Sequence, residues 1–146
     1  MAQQESIRAK VPQRAMNAAM ARRAAEAAAE KAKEFGEQVS IAVVDESGNL
    51  VYFLRADSCS YITFETAKGK AALSAGFRRP SKEFVEAARD NPGFWLSASE
   101  RHGMIIGAGG YPITRDGALV GGIGCGGATG EQDHLCAEAG AKAVSS

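Results

Sequence analysis

A chain of 146 residues holds one domain's worth of core and too little for two. Seventeen Lys and Arg balance seventeen Asp and Glu, so there is no basic excess to recruit a nucleic acid or another polyanion. A hydrophobic fraction of 45% with 23% charged residues excludes wholesale disorder; no apolar run is long enough to span a membrane, and Met1–Lys10 lacks the apolar stretch of a secretory signal, so the expected setting is cytoplasmic.

Residues 1–11 read as a flexible lead-in and 12–146 as a single domain. Alanine (28) and glycine (17) make up nearly a third of the chain, a composition suited to close backbone approach. From Pro12 onward, Met16, Met20, Ala24, Ala28, Ala32 and Phe35 recur at helical spacing, with Arg22, Glu26, Glu30 and Lys33 largely opposite, and Gly36 stands where such a helix ends. Val39–Val44 and Leu50–Arg55 read as strands joined by an Asp45–Asn49 hairpin loop. Both faces of these strands are apolar, which suggests a second covering layer supplied by another subunit. A second helix is expected over Ser60–Phe77 and a short one from an N-cap at Ser81 to about Arg89. A turn then follows at Asp90–Gly93, with Phe94 and Trp95 available for packing or as a lid. Three strands are expected around Gly103–Ala108, Tyr111–Arg115 and Ala118–Gly124, the last two joined by Asp116-Gly117. Thr129 opens a capping box for a final helix. The order α-ββ-αα-βββ-α predicts an α+β fold, a five-stranded, largely antiparallel sheet flanked by helices.

Three cysteines at wide spacing, without a CxxC pair, suit neither a disulfide framework nor a zinc site. The densest chemical signal is Gly121–Asp133, a glycine-rich strand and loop running into a helix N-terminus. Glu131 and Asp133 already occupy that first turn and would repel an external phosphate, so nucleotide binding is disfavoured. Burial as a small apolar residue is the plainer reading for each cysteine; for Cys125 the alternative is that flanking glycines leave its sulfur accessible. Glu131, His134 and Glu138 fall on one helix face, where carboxylates can raise an imidazole's basicity; His134 is thus a candidate general base or iron ligand, or part of a solvated charged face. His102, at the entry to a strand, is the other candidate iron ligand, or a loop histidine satisfied by backbone. Arg55, closing a strand, either pairs with Asp57 or points into a cleft.

Val44-Asp45 with Gly48 and Leu50-Val51, Arg55 and Asp57, Ala67 with Lys70-Ala71, Pro80, Gly109-Gly110 with Pro112-Ile113, Gly117 with Val120–Gly124, and Glu131-Gln132-Asp133 with Ala139-Gly140 recur in one order. In these features the chain resembles the GlcG/HbpS-like family of heme-binding or heme-degrading proteins, which is also related to the C-terminal domain of a corrinoid adenosyltransferase. The resemblance spans about residues 16–143. It implies a profilin-like or GlcG-like fold, a homo-oligomer, and heme or another tetrapyrrole as ligand. It carries Arg55, Asp57, Lys70, Glu131 and Asp133 over as matching polar positions. Cys125-Gly126 stands where the family often has a serine-containing GVSG stretch. Two readings follow. In the first, the protein binds or handles heme, with Arg55, Asp57, Lys70, Cys125 and Asp133 around the ligand and His134 or His102 on the iron. In the second it is a small-molecule catabolic enzyme, an isomerase, lyase or hydrolase, with His134 or Glu131 as base and Arg55 and Lys70 holding a carboxylate.

Overall fold

The computed structural model describes residues 14–145, so the lead-in over 1–11 lies outside the described residues, as does Pro12. The first helix starts later than Pro12 suggested. Asn17 accepts a hydrogen bond from the Met20 amide at 2.8 Å, the mark of an N-cap, and α1 runs Ala18–Glu34 with Gly36 beyond it at φ +70°.

The hairpin follows, with β1 over Ser40–Asp45 and β2 over Leu50–Leu54. Asp45 folds the turn by accepting the Ser47 and Asn49 amides on one carboxylate oxygen. Next come α2 (Ile62–Phe77), a 3-10 turn (Ser81–Phe84), α3 (Val85–Asp90) and α4 (Pro92–His102). Then β3 (Gly110–Arg115) and β4 (Ala118–Gly126) form a hairpin, with Asp116 at φ +53° and Gly117 at φ +79° as a tight two-residue turn. The last helix, α5, spans Gly130–Ala143 and carries the expected capping box between Thr129 and Gln132.

The sheet has four strands among the described residues, ordered β2-β1-β4-β3 and antiparallel throughout, rather than the five expected. The missing one is Gly103–Ala108. This segment lies against α2 instead, with Ile105 packed so tightly over Gly69 that a side-chain carbon at Gly69 would collide with it. The hydroxyl of Ser81 takes the place of a strand partner, donating to the Gly107 carbonyl and accepting from the Gly110 amide. Ser81 is therefore a tie between the 3-10 turn and the start of β3, not an N-cap. His102 ends a helix rather than opening a strand, because Pro92 starts α4 where a turn alone was expected.

Helix α2 covers one face of the sheet, over β4, β1 and β3; α1 and α5 pack together on the other. All six residues of β1 are buried by these layers of the same chain, so its two-sided apolar character needs no second subunit. The seat for α2 is built from the smallest residues available. Ala42, Gly124 and Gly110 lie side by side across β1, β4 and β3, and a side-chain carbon on Gly124 would run into the Ala67 carbonyl of α2. On the opposite face Ala21, Ala24, Ala25, Ala28 and Ala32 of α1 are buried, and Gly140 of α5 rests on the backbone at Ala24.

Candidate functional site

The glycine-rich stretch is a packing surface, not a ligand wall. Residues 121–126 are all buried; α2 occupies the space beside Gly122, Gly124 and Gly126, and Val44 with Met16 fills that beside Gly121. Cys125 is likewise closed off. Its side chain points into the α1–α5 core at 0% exposure, and burial pushes its thiol well above the usual thiol range. Cys136, in the same core, is pushed up to about 11, chiefly by burial.

Three of the expected ligand-binding positions do meet, though they bind one another. Lys70 leaves α2 past Gly109 and donates its Nζ to the Cys125 carbonyl at 3.0 Å and to Asp133 Oδ2 at 3.3 Å. The other Asp133 oxygen accepts the Ala128 amide at 3.1 Å. Both side chains of the ion pair are over nine-tenths buried. Burial raises the Asp133 carboxyl, opposed by the Lys70 charge and the Ala128 hydrogen bond. The junction joins α2, the end of β4, the following loop and the first turn of α5, and it engages the Lys70 ammonium within the fold.

His134 is enclosed as well, 5% exposed and with its ring beside Tyr111 at 5.8 Å between centroids. Its Nδ1 has no hydrogen-bond partner. Burial lowers its basicity first and Lys82 second. Glu138, Glu131 and Glu83 pull the other way, as the helix spacing suggested, but do not prevail. The neutral ring is therefore favoured: the base-strengthening pull of the carboxylates is present, and burial outweighs it. Glu131 itself is exposed on the first turn of α5.

His102 has the opposite surroundings. It is exposed at the end of α4 and lines a cleft of about 440 Å³, whose floor is Ala72, Gly76 and Phe77 of α2 and whose rim is the Glu46–Gly48 turn. Phe94, Ala98 and His102 share one face of α4 at successive turns and form the far wall; Met104 closes the end. That i, i+4, i+8 spacing was available in the sequence once Pro92 was read as a helix start. Glu46 is engaged by Arg14 at 3.3 Å, so the rim carries a compensated charge. Arg55 and Asp57 line a different pocket of about 240 Å³ with Lys33, Gln38 and Val39. No ion pair joins the two among the described residues, and both border this pocket. No three His, Cys, Asp or Glu side chains among the described residues cluster to hold a metal ion by themselves, and no helix of the described residues is long and apolar enough to cross a membrane.

A four-stranded antiparallel sheet between one helix and a helix pair, with clefts built from helix and turn, defines an α+β sandwich domain. The family model described as "Haem degrading protein HbpS-like" matches residues 16–142, and the chain belongs to that family. The crystal structure of HbpS superposes with a TM-score of 0.82 at 33% identity, covering 94% of this chain and 96% of that one. The structure of a PduOC:heme complex superposes with a TM-score of 0.77 at 26% identity, covering 88% and 94%. An uncharacterised 15.0 kDa protein of the dhaT–dhaS intergenic region of Citrobacter freundii is 30% identical over 121 residues, 82% of this chain and 85% of its own.

Proposed function

We propose that this protein binds heme in the cleft between α2, α4 and the β1–β2 turn, with the His102 imidazole as iron ligand. The observation that carries the reading is the pairing of an exposed imidazole with aromatic and thioether walls, Phe77, Phe94 and Met104, in one cleft. Family membership and a heme-bound structural neighbour support the ligand class. When bound, heme would supply iron chemistry, while Phe77, Phe94 and Met104 would wall the ring and His102 would offer an imidazole nitrogen to the iron. His134 fits the role less well, since its ring is committed to the interior beside Tyr111. A proton-transfer enzyme using His134, Glu131, Arg55 and Lys70 has less support, because Lys70 is engaged by Asp133 and Arg55 lines a separate pocket.

Hemin titrated into the protein should give a saturable Soret band near one per subunit. His102→Ala should weaken binding about tenfold or more, and His134→Ala should leave it nearly unchanged. Nonsaturating, featureless absorbance would overturn heme binding; loss of the band in His134→Ala alone would overturn the choice of ligand.

The same reading includes a homo-oligomer, which exposed apolar residues at the sheet edge support. Leu50 and Leu54 on the edge strand β2, with Tyr61 and Ile62 beside the start of α2, are exposed. Sedimentation should give a mass above the monomer's, reduced by Ile62→Glu.

A further inference from the structure

The helix that carries His102 is attached to the body in an unusual way. Neither α3 nor α4 contains a buried residue, and α4 packs its backbone chiefly against α3. Space surrounds it on three sides. The cleft of about 440 Å³ lies between α4 and α2; a second cavity of about 400 Å³ lies on the Leu96 and Ile105 side; a third of about 610 Å³ separates α3 from α4 above Ile106. What crosses the gap is a set of rings: Trp95 stands 5.6 Å from Phe77 and 5.4 Å from Phe84 between centroids. Phe94 and Leu96 remain 58% and 71% exposed.

The two ends of α4 are suited to turning. Asn91, at φ −140° and ψ 69°, breaks the helical path ahead of Pro92, and Gly103 follows at φ +64°, a conformation that glycine adopts at little cost. The base beneath it is fixed, because Ser81 ties the 3-10 turn to Gly107 and Gly110. We propose that α4 is a lid over the outer face of α2, turning about Asn91 and Gly103 and resting on Trp95. Opening separates a few ring contacts and uncovers no buried residue of the helix, so it proceeds without unfolding the sheet. Its consequence for the ligand rests on the heme reading above: His102, Phe94 and Ala98 travel with the lid while Ala72, Gly76 and Phe77 stay on the floor, so the cleft widens to admit a planar ring and narrows to hold it.

Hydrogen exchange of the ligand-free full chain tests the opening directly. Amides of α4 should exchange about a hundredfold faster than those of α5, at a rate nearly insensitive to low urea, since a local opening exposes little surface. Trp95→Ala should speed α4 exchange about tenfold further and leave α5 unchanged. As a check that needs no variant, Trp95, the sole tryptophan, should be accessible to acrylamide in the native protein. Exchange of α4 at the rate and urea dependence of α5 would overturn the lid, as would α4 protection that grows with protein concentration, the mark of a second copy covering it. If α4 opens but hemin gives no Soret band, the lid stands and the heme reading fails; if hemin slows exchange in α4, both are supported.

Discussion

The end of the sheet where α2 meets α5 and the lobe where α4 stands over α2 are built on opposite terms. At the first, glycines at 109, 110 and 124 let backbone touch backbone, and the one pair of charges there is buried and internally paired. At the second, aromatic rings span cavities, no residue of the helix is buried, and the histidine is exposed. Polar chemistry in the molecule is therefore divided. Lys70 and Asp133 tie α2 to α5, Cys125 and His134 are enclosed, and His102 stands exposed in a cleft. A motif rich in matching polar residues can mark the most rigid junction of a domain rather than its site.

The sharpest way to break this contrast is at the ion pair. Lys70→Met leaves Asp133 buried with the Ala128 amide but without its cation, and should cost about 4 kcal/mol in urea unfolding at neutral pH. The pH dependence has a definite sign. Burial already raises the Asp133 carboxyl above 3.8, and removing Lys70 raises it further. A carboxyl raised in the folded state costs stability when ionised, and that cost disappears as pH falls through the raised value, where the folded state takes up the proton first. The deficit of Lys70→Met should thus shrink on acidification. A deficit constant between neutral and acid pH would mean the lost interaction is packing of the lysine stem, and Lys70→Met/Asp133→Leu, which removes both charges, should recover most of the stability.

A second break comes from adding one carbon. Gly124→Ala places a Cβ against the Ala67 carbonyl and the Ala71 amide, forcing α2 off its seat, and should lower stability by about 3 kcal/mol. Gly126→Ala, two residues on, meets the Thr66 side chain at 3.4 Å and the Ala67 amide at 3.8 Å, ordinary contacts, and should cost under about 1 kcal/mol. Equal losses at the two positions would show that strand stiffness, not helix seating, selects glycine in β4.

The residues of this seat also explain what was legible beforehand. Alanine spacing in α1, the Asp45 and Asp116-Gly117 turns and the Thr129 capping box are local signals, each with its cause within a few residues, and the elements they define stand where they were expected. The lost strand at 103–108 turns on a tertiary fact, the fit of Ile105 over Gly69 and the Ser81 hydroxyl standing in for a ladder, which no local pattern announces. The site misled for a related reason. Glycine beside Cys125 leaves room, but only the packing of α2 decides whether that room holds ligand or protein. His134 shows the same limit in electrostatic form, since helix spacing revealed its carboxylate neighbours and not the burial that outweighs them.

The smallest expected effect tests the lobe itself. Gly93 is the second residue of α4, and nothing lies within 4 Å of a Cβ built on it. Gly93→Ala removes backbone freedom from the unfolded chain and suits a helix, so its influence is favourable where the space is truly open. Because α4 gains stability apart from the sheet, the global urea midpoint should move by no more than about 0.5 kcal/mol equivalent, while α4 amides exchange a few-fold more slowly if the helix opens partly by fraying. A loss above about 1 kcal/mol would require something seated over Gly93 that the described residues do not provide. The candidate would then be a second copy of the protein, and the lobe would belong with the well-packed junction rather than against it.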